Sequence, residues 1–159
     1  ITIPNLSVNP QYSIQDSPKP DILIIPGGMW TSVQEETLIW IKENSITADY
    51  TFSICTGAFI LAEAGILDSL EATTHNAGTH ILENKYPAIK KVHHHKRFVD
   101  NGKIITSAGV SAGIDASFHL INKILGEEWA KAIAKNLEYD KWKPGKGLIL
   151  TDNIPNKEK

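Results

Sequence analysis

Short apolar runs and segments of helical periodicity alternate along most of the chain. Residues 21–25 carry three isoleucines and a leucine between two prolines, and this run predicts a strand buried on both faces. Residues 32–44 place their apolar side chains at helical spacing, and Ser32 with Glu35 predicts a capping box at the start of that helix. Tyr50–Ile54 is β-branched and aromatic, which is typical of a second strand.

The same alternation continues through the second half of the chain. The pattern predicts a helix over residues 58–64 closed by Gly65, a short strand over 72–75 and a helix over 78–85. Residues 92–99 and 103–107 flank an Asn-Gly pair and predict a β-hairpin. Two helices follow over 114–125 and 127–137, separated by Gly126, and no regular element is predicted after Tyr139.

Strands of buried type that alternate with helices indicate a mostly parallel sheet. The predicted fold class is therefore α/β, a three-layer sandwich with helices on both faces of a central sheet, as in flavodoxin-like proteins. We expect one domain over residues 1–139 and a tail over residues 140–159, since no repeat or interior linker divides the chain.

Composition and charge narrow the classes of partner. The 159 residues include 16 basic and 18 acidic side chains, a net charge of -2, so nothing favours nucleic acid or an anionic membrane surface. No apolar stretch approaches the roughly 20 residues of a membrane helix. The single cysteine excludes an internal disulfide, and we expect a reducing, cytoplasmic setting.

Three segments carry candidate chemistry to one edge of the predicted sheet, where open parallel sheets bind ligands. They are Gly27-Gly28, Cys55-Thr56-Gly57 and His75, each at the end of a predicted strand. Backbone N–H groups at a helix start favour a thiolate at Cys55 and can hold an oxyanion. Position alone also allows Cys55 to be a small core residue and His75 a hydrogen-bonded structural residue.

Four motifs in this order resemble one family. They are D-I-L-I-I-P-G-G, S-I-C-T-G-A-F-I-L-A-E-A-G-I-L-D, A-T-T-H and R-F-V-D-N-G-K-I-I-T-S-A-G-V-S-A-G-I-D. Together they resemble the ThiJ/PfpI family, with its class I glutamine-amidotransferase-like fold, over about residues 1–139. The branch that looks most similar contains isonitrile hydratases and the sensor domains of AraC-type regulators.

The resemblance implies a role for each matching residue. Cys55 falls on the nucleophile of a strained elbow, and the N–H groups of Thr56 and Gly28 fall on an oxyanion hole. His75 falls on the histidine that lies near the thiol in many members. Asp115 matches an acidic residue that opens the late helix, where it either faces the pocket or caps the helix.

Two departures from the family pattern affect the expected site. Members begin with a further strand and helix, and an acidic residue after that strand hydrogen-bonds the thiol. This sequence begins after that unit, so the acidic partner is absent from the 159 residues, and we expect the N-terminal piece to have been cut off or to be a separate chain. Asn76 stands where the branch commonly has tryptophan, so the substrate preference is expected to differ. Gly27 and Asn76 are expected to line the pocket, and Trp30 either forms a wall of it or packs beside the nearby helix.

Residues 93–95 are three consecutive histidines, which invites a metal interpretation. Along a strand only His93 and His95 share a face, and two histidines without a cysteine or carboxylate make a poor zinc site. Lys90, Lys91, Lys96 and Arg97 would also repel a cation. We therefore predict a solvated hairpin face and no metal.

Three functions remain open at this level. The first is a cysteine-dependent enzyme, an isonitrile hydratase or related hydrolase, whose thiolate attacks a small electrophile without a cofactor. The second is the ligand-sensing domain of an AraC-type regulator. The third is a redox or stress sensor that uses reversible oxidation of Cys55. The resemblance also implies a homodimer.

Overall fold

A five-stranded sheet forms the centre of the fold in a computed structural model that describes residues 7–29, 32–140 and 142–150. The strands, in chain order, are β1 (Ile22–Ile25), β2 (Tyr50–Ile54), β3 (Glu71–Ala72), β4 (Lys91–Val92), β5 (Phe98–Asp100), β6 (Ile104–Ser107) and β7 (Leu148–Ile149). The helices are α1 (Glu35–Thr47), α2 (Gly57–Glu63), α3 (Thr79–Lys85), α4 (Val110–Leu125) and α5 (Glu127–Asn136), with a 3₁₀ turn at Asn76–Gly78 before α3.

The strand order of the central sheet is β1-β2-β6-β5-β7, and β3 pairs with β4 in a separate two-stranded sheet. β1 pairs with β2 and β2 with β6 in parallel, while β5 and β6 form an antiparallel hairpin. This is the mostly parallel sheet that the alternation of strands and helices predicts, and the α/β fold class is confirmed.

Helices cover the two faces of this sheet with separate cores. Leu23, Ile25, Ile41 and Leu61 are buried together on the face that carries α1 and α2. On the opposite face, residues of the sheet pack against Ala116 and Leu120 of α4. α5 packs outside α4 through a third cluster that includes Phe118, Ala130 and Trp142. None of the described helices combines the length and the apolar content needed to cross a membrane.

The prediction that β1 is buried on both faces is wrong. Leu23 and Ile25 are buried, but Ile22 and Ile24 are 38% and 52% exposed. Ile24 pairs with Phe52 and therefore lies on the face of the sheet that α4 covers. β1 is the edge strand of the described sheet, and α4 packs over the strands beside it, so the second face of β1 is left open.

Two predicted helix starts are also wrong. α1 begins at Glu35 with Gln34 as its N-cap, and no side chain of the described residues caps it, so Ser32 does not form the capping box. α4 begins at Val110 after Gly109, so Asp115 lies within the helix and does not cap it. In both cases the helix boundary is set by how the segment packs on the sheet rather than by the local signal.

The predicted hairpin is correct in part, and the prediction that no regular element follows Tyr139 is wrong. β5 and β6 flank Asn101 and Gly102, and Gly102 has a φ of 95°, a left-handed conformation that glycine adopts without strain. Residues 92–97 are outside the hairpin, because β4 ends at Val92 and pairs with β3 instead. After Tyr139, where no element was expected, β7 adds to β5 and extends the sheet.

A buried ion network ties the hairpin to α4. Asp100 is 1% exposed, and its carboxylate accepts hydrogen bonds from Lys123 Nζ at 2.9 and 3.0 Å and contacts His119 Nε2 at 2.7 Å. Lys123 also donates to the Gly102 carbonyl at 2.6 Å. Burial raises the pKa of Asp100, but the hydrogen bonds from His119 and Lys123 outweigh it, so the pKa lies below its ordinary value.

Asp100→Asn is expected to lower the free energy of unfolding at pH 7 by about 3–5 kcal/mol, because it leaves the buried Lys123 ammonium without its carboxylate. Urea unfolding measures this loss. The folded pKa of Asp100 is depressed, so the stabilisation is present above the unfolded pKa of about 3.9 and is lost as the pH falls toward the folded value. The stability gap between the wild type and Asp100→Asn is therefore expected to narrow below about pH 4.

The exposed pair of Glu127 with Lys131, at 2.6 Å, provides the control. Glu127→Gln is expected to change the unfolding midpoint little, because solvent screens this pair. Equal losses for Asp100→Asn and Glu127→Gln would contradict the assignment of Asp100 as the buried centre of the network.

Candidate active site

Cys55 occupies a strained elbow between β2 and α2. Its φ of 56° lies in the left-handed region, which costs a residue other than glycine roughly 1–3 kcal/mol. The Cys55 N–H lies 3.1 Å from the carbonyl oxygens of both Ser107 and Ala108, and the Cys55 carbonyl accepts a 2.7 Å hydrogen bond from Thr74 Oγ1. The side chain is partly exposed. The elbow predicted for Cys55 is therefore present, and residues from two other segments hold it.

Two glycines let neighbouring backbone approach this elbow closely. A Cβ on Gly27 would lie 2.8 Å from Cys55 Cβ and 3.3 Å from its Sγ, so a side chain there would press on the thiol. A Cβ on Gly57 would collide with the Ile25 carbonyl and lie 2.9 Å from the Pro26 carbonyl oxygen. The strand end that carries Gly27 and the elbow that carries Cys55 therefore meet, as the sequence predicts.

Thr56 joins the elbow to Gly28. Its hydroxyl donates to the Gly28 carbonyl at 2.6 Å and accepts from the Gly28 N–H at 2.9 Å. The Gly28 N–H is thus already hydrogen-bonded, so its predicted oxyanion role requires this bond to open when a ligand binds. The reciprocal pair fixes the Gly27-Gly28 turn beside Cys55.

His75 lies close to the elbow, because it directly follows Thr74, whose hydroxyl donates to the Cys55 carbonyl. Its Nδ1 accepts a 3.3 Å hydrogen bond from the Ala77 N–H, so the neutral ring carries its proton on Nε2. The ring packs on Gly109, where a Cβ would lie 3.1 Å from His75 Cδ2. Within the described residues, no hydrogen bond joins His75 to the Cys55 thiol. The structural role is therefore visible, while the catalytic role remains a prediction.

Of the predicted pocket residues, Asn76 is exposed and Asp115 is buried. Asn76 is exposed and lines two adjoining grooves of about 580 and 530 Å³. Asp115 is buried in an ion pair with Arg97, and the Tyr139 hydroxyl donates to it at 3.0 Å. Both burial and this hydrogen bond raise the pKa of Tyr139. Trp30 lies outside the described residues.

Residues that the sequence did not single out complete the elbow. Thr74 is fully buried and spans from the His75 segment to the Cys55 carbonyl. Thr73 beside it is also buried, and its hydroxyl donates to the His93 carbonyl at 2.7 Å. The signal in the sequence that could have identified these partners is the pair of threonines at the end of a short strand. Hydroxyl groups buried there need hydrogen-bond partners, and the nearby backbone supplies them.

The prediction of a solvated hairpin face for residues 93–95 is wrong. These residues lie between β4 and β5, and the His93 side chain is only 12% exposed. His93 Nε2 lies 2.7 Å from Glu71 Oε2, and Lys90 lies 3.1 Å from the other oxygen of that carboxylate. The hydrogen bond with His93, and then that with Lys90, lowers the pKa of Glu71. His93 is thus already paired and is not available as a ligand beside His95.

Known proteins are similar to this chain in sequence and in fold. An isonitrile hydratase of Pseudomonas putida is 32% identical over 137 residues, which are 84% of this chain and 58% of that protein. The HTH-type transcriptional regulator CdhR of Pseudomonas aeruginosa is 28% identical over 87% of this chain and 41% of its own length. The chain thus spans less than two thirds of the length of these relatives.

Solved structures give the same fold. A ThiJ/PfpI family protein from Pseudomonas syringae superposes with a TM-score of 0.75 at 27% identity, covering 87% of this chain and 58% of that chain. DJ-1beta of Drosophila melanogaster superposes with a TM-score of 0.62 at 19% identity, over 79% of this chain and 66% of its own, which shows the fold alone. The family model of the DJ-1/PfpI family matches residues 3–123. The chain therefore belongs to the DJ-1/PfpI family.

Proposed function

We propose that this chain carries the nucleophile of a cysteine-dependent enzyme that adds water to a small electrophile of the isonitrile class. The observation that supports the proposal most directly is the strained, partly exposed elbow of Cys55, held from two sides by Ser107 with Ala108 and by Thr74. The relative named an isonitrile hydratase shares 32% of the aligned residues and suggests the substrate class.

The reaction that fits this site has two stages. The Cys55 thiolate attacks the terminal carbon of R–NC, that carbon takes up a proton, and a thioimidate R–N=CH–S–Cys55 forms. Water then adds to the same carbon, and its two protons go to the nitrogen and to the base left when the carbon was protonated. The C–S bond breaks to release R–NH–CHO and the thiolate. One water is consumed, and neither an oxidant nor a cofactor takes part.

Two groups beside the elbow are suited to the remaining roles. The Nε2–H of His75 is the proton carrier in this proposal, because its Nδ1 is occupied by the Ala77 N–H. Backbone N–H groups at Thr56 and Gly28 would stabilise negative charge as it develops. The proposal further includes a homodimer, which the family resemblance implies, and a cytoplasmic setting, which the single cysteine suggests.

A ligand sensor is the second candidate function. Several relatives are named as HTH-type transcriptional regulators, and the matched segment covers 86–87% of this chain in the regulators GbdR and CdhR of Pseudomonas aeruginosa. A sensor would bind the small molecule at the same elbow without turnover. Saturable binding of an isonitrile with no formamide produced would favour this function over the enzyme.

Cys55→Ser is expected to lower kcat/KM for isonitrile hydration by at least about 10³-fold, because it removes the thiolate that forms the covalent intermediate. Mass spectrometry would follow formamide production and would detect the adduct on the only cysteine of the chain. Ser53→Ala is the matched control, because Ser53 lies two residues earlier and its buried hydroxyl has no hydrogen-bond partner in the described part of the chain. A Cys55→Ser variant that stays within tenfold of the wild type would exclude the mechanism.

Thr74→Val is expected to lower kcat with little change in KM, because the Cys55 carbonyl loses its 2.7 Å partner and the elbow relaxes. The buried carbonyl left unpaired should also cost about 1–3 kcal/mol of stability. Thr74→Ser keeps the hydroxyl and should restore kcat. Thr47→Val removes a comparable hydroxyl-to-backbone bond at an exposed site and serves as the control.

Iodoacetamide alkylation of Cys55 provides a second readout for Thr74→Val, independent of any substrate. The folded wild type should react faster at neutral pH than the urea-unfolded chain, and Thr74→Val should lose most of that advantage. Equal alkylation rates for the wild type and Thr74→Val would show that Thr74 only stabilises the fold.

A further inference from the structure

We propose that His80, Glu83 and His94 form a binding site for a divalent transition-metal cation of the zinc type. The three side chains each offer one ligand atom, and these atoms all lie within 4.8 Å of one another. Two imidazoles and one carboxylate are a ligand set that such cations bind, with the remaining positions open to water or an anion. None of the three ligands is among the residues that hold the Cys55 elbow, and the proposal does not depend on the function proposed for that elbow.

Two separate segments bring the ligands together. His80 and Glu83 are one turn apart on α3, and residues at this spacing share a helix face. His94 comes from the segment after β4, and its ring lies 4.3 Å from the His80 ring between centroids. The carboxylate that was missing from the sequence near the three consecutive histidines is therefore supplied by α3.

The hydrogen bonds around His94 bear on which of its two ring nitrogens carries the proton. We assign the proton of the Thr79 hydroxyl to the Asn76 carbonyl, 3.1 Å away, and the hydroxyl oxygen then accepts the 2.9 Å hydrogen bond from His94 Nδ1–H. In the opposite arrangement Thr79 donates to Nδ1 and His94 Nε2–H donates to Glu83, which excludes a metal. In the assigned arrangement, Nε2 of the neutral ring carries a lone pair and not a proton. That lone pair lies 3.2 Å from Glu83 Oε2, where two electron-rich atoms repel one another unless a positive charge lies between them.

A metal cation meets that requirement. The bond from Thr79 to the far nitrogen is the outer contact that a metal-bound histidine usually makes, and it orients the ring. Tetrahedral zinc with bonds near 2.0–2.1 Å separates its ligands by roughly 3.3 Å. The 3.2 Å between His94 Nε2 and Glu83 Oε2 fits this value, and the 4.0 Å between His80 Nδ1 and Glu83 Oε2 needs only a small movement of two exposed side chains.

The basic residues nearby oppose a cation less than the sequence suggests. Lys90 is paired with Glu71, and Arg97 is paired with Asp115. Lys91 and Lys96 line the adjoining groove of about 580 Å³, where they would favour an anion completing the coordination of the metal. The other source of positive charge between His94 and Glu83 is a proton, which would make the two residues a simple ion pair that excludes metal.

Zinc titration by isothermal calorimetry separates these two outcomes. Cys55→Ser serves as the parent protein, so that the thiol does not bind the metal and the result is independent of the proposed enzyme. We expect one equivalent of Zn²⁺ to bind, and Glu83→Gln or His80→Ala to weaken that binding by at least about tenfold. Co²⁺ added in place of Zn²⁺ should give visible absorption typical of nitrogen and oxygen ligands, which both variants lose.

His95→Ala is the matched control, because His95 is an exposed histidine of the same groove that is not among the three ligands. Its Zn²⁺ affinity should stay within about twofold of the parent. Circular dichroism of each variant confirms that α3 remains folded. The proposal is overturned if the parent binds no Zn²⁺ saturably, if Glu83→Gln and His80→Ala bind as tightly as the parent, or if His95→Ala weakens binding equally.

Discussion

Left-handed backbone at Cys55 is the constraint on which the site depends. An unsupported cysteine would leave this region, because left-handed backbone costs a residue other than glycine roughly 1–3 kcal/mol. The chain offsets it with hydrogen bonds to both sides of the residue, from Thr74 to the carbonyl and from the N–H to Ser107 and Ala108. The thiol is therefore presented by three segments that fold against one another, and Gly27 is free of a side chain because the elbow occupies that space.

The periodicity of the sequence predicted the order and type of most elements because buried strands and amphipathic helices have different repeats. The periodicity gave wrong predictions where the burial of a residue depends on whether another strand or helix packs against it. Ile22 and Ile24 resemble core residues, yet they lie on the open face of the edge strand β1. Local capping signals at Ser32 and Asp115 were also overridden, since α1 begins later and α4 earlier than those residues indicate. Packing on the sheet decides such boundaries, and a single sequence does not display it.

The candidate site shows the same division. Cys55-Thr56-Gly57 between a predicted strand and a predicted helix indicated a tight turn, and the family resemblance identified that turn as the elbow. The partners of the elbow and of the histidines come from distant segments, so spacing along the chain could not reveal them. Glu83 is the clearest example, because it lies on α3 and contacts His94 of the segment that follows β4. Contacts between segments are what the fold adds to the sequence.

The hydrogen bond between the Cys55 N–H and the end of β6 also bears on when the elbow forms during folding. β2 and β6 are parallel neighbours that lie far apart in sequence, and such non-local pairings form slowly in folding. Until they form, nothing holds the carbonyls of Ser107 and Ala108 against the elbow, and the cysteine has ordinary backbone torsions. A nascent or partly unfolded chain therefore lacks the strained elbow even where its helices are already present. The left-handed conformation of Cys55 arrives with the completed sheet and disappears with it, so it reports on the integrity of the fold.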